Sequence, residues 1–166
     1  ASMNPCPCGY FNHPEKECVC APGVVQKYLN KISGPLLDRI DLHVEVTPVS
    51  FSELSSERKT ERSEYIRERV IRAREVQAIR FAGQNGIYNN AQMEAQMAQD
   101  ICKISEAGST LLNRAMKKLN LSARAYDRIL KVSRTIADLA DSPEIKTEHL
   151  AEAIQFRSLD REDWGG

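Results

Sequence analysis

The spacing of apolar positions changes along the chain. From residue 41 to 47 it has period two, with Leu42, Val44 and Val46 on one side and His43 and Glu45 on the other. Alternation with β-branched residues predicts a strand. Beyond residue 60 the spacing is helical. Ile66, Val70, Ala73 and Val76 form a stripe on a long charged helix predicted over residues 61–82, and GQNGIYNN at 83–90 reads as a turn. Residues 91–103 predict a modest helix. Ser105 is placed to cap the next one, in which Leu111, Leu112, Ala115, Met116 and Leu119 are apolar. Ser122 is placed to cap a further helix, where Ala125, Ile129, Val132, Ile136 and Leu139 recur at steps of four, three, four and three. That is a one-sided helix facing a core. Ser142-Pro143 breaks the chain, and Thr147 is placed to cap a last helix marked by Leu150, Ala151 and Ile154.

The first third reads differently. Residues 1–23 are rich in Pro, Gly and Cys, which argues against regular structure. Residues 24–31 predict a short helix. Ser33-Gly34-Pro35 opens a helical turn over 36–40, with Leu36, Leu37 and Ile40 expected to be buried and Pro near the first turn, where its missing N–H matters little. Residues 48–60 (PVSFSELSSERKT) are polar and Ser-rich, a linker by composition. The expected fold is mainly α. A unit of residues 1–47 carries one strand, short helices and a Cys loop, the linker spans 48–60, and a helical bundle fills 61–160.

A chain of 166 residues, 42% hydrophobic and 28% charged, suits one domain or one and a half and excludes wholesale disorder. No stretch approaches the roughly 18 apolar residues of a membrane span. The start, Ala1-Ser2-Met3-Asn4-Pro5, has no basic and no apolar region of signal-peptide type, so a reducing, cytoplasmic setting is expected. Net charge is zero, which excludes a polyanion binder of histone type. The balance is locally uneven. Residues 114–134 hold seven bases (Arg114, Lys117, Lys118, Arg124, Arg128, Lys131, Arg134) against Asp127, and residues 138–163 hold eight acids against three bases. Such asymmetry marks either a phosphate-facing surface or two solvated helix faces.

Four of the five cysteines, Cys6, Cys8, Cys18 and Cys20, form two C-x-C pairs nine residues apart. Four thiolates match the tetrahedral preference of Zn²⁺ in a structural site, and the loop between the pairs is long enough to fold one onto the other. His13 is a substitute ligand, and a reduced, metal-free loop is the alternative. Cys102 stands alone and reads as a small buried hydrophobe. Asn4 before Pro5 is first a turn signal. Arg39, between Asp38 and Asp41, is either a salt-bridged structural residue or a phosphate clamp whose planar fork never loses its charge. Arg124 follows the Ser122 cap by two positions. A cation there opposes the helix dipole unless an anion sits at the same N-terminus, so Arg124 is a phosphate-contact candidate or a screened surface charge. Arg128, Lys131 and Arg134 either join that site or are solvated. His43 and His149 are assigned no function.

Four strings join these motifs: Met3-Asn4-Pro5-Cys6-Pro7-Cys8-Gly9, residues 28–42 (YLNKISGPLLDRIDL), Leu121-Ser122-Ala123-Arg124-Ala125-Tyr126 and residues 133–139 (SRTIADL). Together they resemble the magnesium-chelatase-like AAA+ ATPases, and among them the ComM (YifB) group. The resemblance spans essentially the whole chain. It implies that residues 1–47 are the end of an AAA+ α/β core and that residues 61–160 are its helical lid. Asn4 matches the sensor-1 position, which orients the attacking water. Arg39 matches the arginine finger that reaches a neighbouring subunit's nucleotide, and Arg124 matches sensor 2 on the lid. The four Cys match a family loop presumed to bind zinc.

The resemblance further implies ATP and Mg²⁺ as ligands of the intact protein, self-association into a hexameric ring, and DNA as partner. The expected activity is that of an ATP-driven motor on branched or single-stranded DNA in natural transformation and recombination. A metal-chelatase or protein-remodelling ATPase without nucleic acid, and a zinc-stabilised helical interaction module, are the alternatives. No G-x-x-x-x-G-K-[ST] loop occurs in the 166 residues, so the chain is expected to be a C-terminal piece that does not hydrolyse ATP alone.

Overall fold

The computed structural model describes residues 1–46, 48, 49 and 60–157. Most of the linker at 48–60, and residues 158–160 of the expected lid, lie outside the described residues. The described residues hold seven α-helices: α1 (Pro22–Leu29), α2 (Gly34–Leu37), α3 (Ser63–Arg80), α4 (Ala95–Ile101), α5 (Glu106–Lys118), α6 (Ala123–Leu139) and α7 (Thr147–Gln155). A 3₁₀ turn at Asn90–Gln92 precedes α4. The protein is mainly helical, as the periodicity predicts.

The bundle is built around α6, which packs against α7, α3, α4 and the 3₁₀ turn, while α5 lies on α7. The apolar spacing of α6 explains its centrality, because Ala125, Ile129 and Ala137 all face inward and are fully enclosed. The Ser122 hydroxyl accepts from the Ala125 N–H at 3.2 Å, and the Ser105 hydroxyl accepts from the Gly108 N–H at 3.2 Å, so both expected caps form. Gly108 lets α5 and α7 approach closely: a Cβ there would lie 2.7 Å from Leu150 Cδ1, and Leu150 is fully buried. Cys102 is enclosed in this core, where burial pushes its thiol up to about 11.

Four sequence expectations outside α3 require correction. Residues 41–46 form no strand. A strand needs a neighbour to share its ladder, and here the His43 N–H donates instead to the Phe156 carbonyl at 2.8 Å. His43 turns inward, and Leu42, Val44 and Val46 are left exposed. Leu36 and Ile40 are likewise exposed rather than buried under their turn. The helix predicted over 91–103 breaks in two, because Met93 leaves helical geometry (φ −55°, ψ 138°) and inserts into the core. Finally, Thr147 does not cap α7. Lys146 holds the cap position, and its N–H is satisfied by His149 Nδ1 at 3.1 Å, which gives buried His149 a structural task.

On α3 the buried positions are Ala73 and Gln77, whereas Ile66, Val70 and Val76 stay exposed. The helix is held through its last turns by a polar cluster. Asp138, fully buried on α6, accepts from Arg80 Nη1 and Nη2 at 2.7 and 2.5 Å, from Asn90 Nδ2 at 2.8 Å and from Arg134 Nε at 3.1 Å. Burial alone would raise its pKa. The hydrogen bonds from Arg80 and Asn90 and the charge of Arg134 outweigh it and hold the carboxyl below the ordinary range. A second, separate apolar cluster joins Cys6 to Val25 and Leu29 of α1, with Phe11 and Tyr28 against it.

Candidate functional site

Residues 6–20 fold back on themselves through two left-handed positions. Gly9 (φ 82°) closes a turn in which its N–H donates to the Cys6 carbonyl at 3.0 Å, and Asn12 (φ 59°) makes the second reversal. The result brings the four Sγ atoms of Cys6, Cys8, Cys18 and Cys20 within 4.8 Å of one another. The measured separations are 3.3 Å for Cys6–Cys8, 3.5 Å for Cys8–Cys18 and 3.7 Å for Cys6–Cys18. Zn–S bonds of about 2.3 Å require tetrahedral S···S edges of about 3.8 Å, so the donor set fits Zn²⁺ with little movement.

The Tyr10 backbone N–H beside Cys8, helped by the Cys6 thiol, pulls the Cys8 thiol down to about 6. The Cys18 thiol is favoured as thiolate by the Cys20 backbone. Burial and the surrounding sulfurs outweigh that and push it up to about 12. Cys18 and Cys20 therefore keep their protons while Cys8 gives its own up readily, and a metal bound by all four would have to displace the remaining protons. His13 is not a ligand in this arrangement. Its Nδ1 accepts from the backbone N–H groups of Glu15 and Lys16 at 3.0 and 3.1 Å. Asn4 is exposed and stands beside the same loop, with Nδ2 4.0 Å from the position a Cβ on Gly9 would take.

The arginines separate into two groups. Arg134 is buried, and beyond Asp138 it donates to the Pro143 and Ser142 carbonyls at 2.9 and 2.6 Å. Lys131 Nζ donates to the Met93 carbonyl and to that of Ala91 at 3.4 Å. Arg128 Nη1 pairs with Asp41 Oδ1 at 2.9 Å. These three basic groups serve the fold. Arg39 and Arg124 are exposed. Arg39 donates to the Pro35 carbonyl of its own turn at 3.0 Å and is paired with neither flanking acid, since Asp41 faces Arg128 and Asp38 faces Arg157 at 3.8 Å.

The structure therefore gathers the four Cys and sets Asn4 beside them. It also sets the Arg39 segment against α6, one turn from Arg124, through the Asp41–Arg128 pair. Sequence reasoning missed Arg157. It is 1% exposed, and its side chain donates to the Ile40 carbonyl 117 residues away. A base isolated in the acid-rich stretch 138–163 was the only local signal, and nothing local named its partner.

Residues 60–157 match the family described as magnesium chelatase, subunit ChlI C-terminal, and residues 1–54 match magnesium chelatase, subunit ChlI. The chain is 40% identical over 162 residues to competence protein ComM of Haemophilus influenzae, an alignment covering 97% of this chain and 30% of that protein. It is 38% identical over 165 residues to the uncharacterized protein YifB of Escherichia coli, covering 97% and 31% respectively. An uncharacterized protein of Mycobacterium tuberculosis is 34% identical over 156 residues, covering 94% and 30%. The chain thus spans a little under a third of the length of these relatives.

Proposed function

The chain belongs to the magnesium chelatase ChlI family of AAA+ proteins, and from that premise we propose that it supplies the arginine finger and the helical lid of a ring-forming ATPase that works on DNA. The observation that carries this reading is the state of Arg39. Both neighbouring carboxylates are claimed by other arginines, and among the described residues its exposed guanidinium has a backbone carbonyl as its partner. A cation kept clear of its nearest acids suits an anion brought by a partner.

In this reading Arg39 reaches the terminal phosphate held by an adjacent subunit, where charge spread over the transferring group is greatest. Arg124, in the first turn of α6, offers its guanidinium together with backbone N–H groups to the same kind of anion. Asn4 orients the attacking water, and Mg²⁺, when bound with the nucleotide, would supply charge neutralisation at the phosphates. Residues 1–47 are the end of the nucleotide-binding core, 48–60 the linker and 61–160 the lid. The four Cys would hold Zn²⁺ as a structural clasp beside α1, a chemistry that accords with a reducing, cytoplasmic setting.

The relative in Haemophilus influenzae bears the name competence protein ComM. A motor acting on branched or single-stranded DNA during natural transformation accords with that name, and of the basic run at 114–134 the exposed Arg114, Lys117, Lys118 and Arg124 are left to face such a partner. In the whole ATPase, Arg39→Ala should lower kcat about 10³-fold. Branched or single-stranded DNA should raise the turnover of the parent protein. Turnover indifferent to DNA but altered by a protein partner would favour a chelatase-like or remodelling activity, which the ChlI family description supports. Turnover untouched by Arg39→Ala and by Arg124→Ala would leave a zinc-stabilised interaction module.

A further inference from the structure

The five residues from Asp38 to Leu42 and the following His43 are fastened to the helical bundle at four points. Arg128, on α6, pairs with Asp41 at 2.9 Å. Arg157, just past α7, donates to the Ile40 carbonyl and faces Asp38 at 3.8 Å. The Phe156 carbonyl accepts the His43 N–H at 2.8 Å. Arg39 is enclosed in sequence by these ties and is itself exposed.

The chemistry of the ties is uneven. Arg157 is fully buried; its Nη1 donates to the Ile40 carbonyl, and its Nη2 stands 3.8 Å from Asp38 Oδ1, an ion pair longer than a hydrogen bond. The Asp41–Arg128 pair is half in solvent on the Asp41 side and about a third exposed on the Arg128 side, so by itself it contributes little to stability. What it does contribute is register. It sets the position of the Arg39 turn against the helix whose first turn carries Arg124, four residues before Arg128.

We propose that Asp41, Arg128 and Arg157 are positioning residues for Arg39, which clamp the finger segment to the lid of its own subunit so that lid and finger move as one body. This rests on the reading of Arg39 as the residue that contacts a neighbour's nucleotide. Its consequence is a coupling. A lid that shifts when nucleotide engages Arg124 carries Arg39 with it, so occupancy seen by the lid is reported to the active site the finger serves. A small misplacement of a phosphate-contacting group is enough to slow turnover markedly.

The test uses the whole ATPase, with ATP turnover, KM for ATP and the melting temperature measured on each variant. Arg128→Ala and Asp41→Asn should each lower kcat about fivefold, the population shift that a pair of this exposure can supply. KM and melting temperature should stay close to those of the parent. The double variant should be no slower than either single one, and the exchanged pair Asp41→Arg with Arg128→Asp should recover most of the loss. Amide exchange at His43 should speed up in the single variants and return to its parent rate in the exchanged pair.

If Arg39→Ala abolishes turnover while Arg128→Ala and Asp41→Asn leave it unchanged, the clamp is overturned and the finger stands. If Arg39→Ala leaves turnover unchanged, finger and clamp fall together. A loss in Arg128→Ala that the exchanged pair does not recover, or that tracks a lowered melting temperature, also overturns the clamp.

Discussion

Arg39 and Arg134 have the same side chain and opposite fates. Arg134 is enclosed and spends its fork on Asp138 and two carbonyls, whereas Arg39 donates once to its own turn and otherwise faces water. Local sequence could not tell them apart. Asp38 and Asp41 flank Arg39, but the acids are drawn to Arg157 and Arg128, partners that only the fold supplies. Arg124 offers a check at this scale. As an exposed cation in a first helical turn it opposes the dipole, so Arg124→Ala should stabilise this chain by about 0.5 kcal/mol in chemical denaturation. The same change should weaken ATP binding by the whole ATPase, since a residue kept against stability is kept for a ligand. At the cysteines, Zn²⁺ titration with a competing chelator should show one ion per chain. Cys6→Ser should lower affinity by at least tenfold, and His13→Ala should leave it unchanged, because His13 is already engaged with the backbone.

Among the elements, helices were legible where period and cap agreed. The four-three spacing of α6 and the caps at Ser105 and Ser122 are local facts, and the fold kept them. The alternation at 41–47 was as clear but described only half of a strand, whose other half is a neighbour. The α3 stripe failed for a related reason. That helix buries Ala73 alone of its apolar stripe and is otherwise fixed by the Arg80–Asp138–Asn90 cluster, whose members are scattered over 58 residues. Asp138→Asn leaves buried Arg134 without its counter-charge and should cost about 3 kcal/mol of stability. Because the folded pKa of Asp138 is depressed, its contribution is complete above the ordinary carboxylate range and fades as pH falls through the lowered value. Acid titration of stability should therefore flatten in Asp138→Asn relative to the parent. Gly108→Val would drive side-chain atoms into Leu150 and should cost about 2 kcal/mol by the same measurement.

At the scale of the whole molecule, no helix among the described residues is long and apolar enough to cross a membrane. Membership of the magnesium chelatase ChlI family is carried by short strings in a fixed order along the chain, not by composition or net charge. A neutral total concealed a basic run followed by an acidic one, but the fold spends Arg128, Lys131 and Arg134 of that run on internal contacts and leaves Arg114, Lys117, Lys118 and Arg124 exposed. The two apolar clusters, one around Cys6 and α1 and one in the bundle, share no residue. Stripping the thiolates of metal should therefore melt residues 1–30 while the bundle keeps its own transition temperature, with Asp38 to His43 still riding on it. Calorimetry of this chain would then show two unfolding steps, of which only the earlier answers to a chelator.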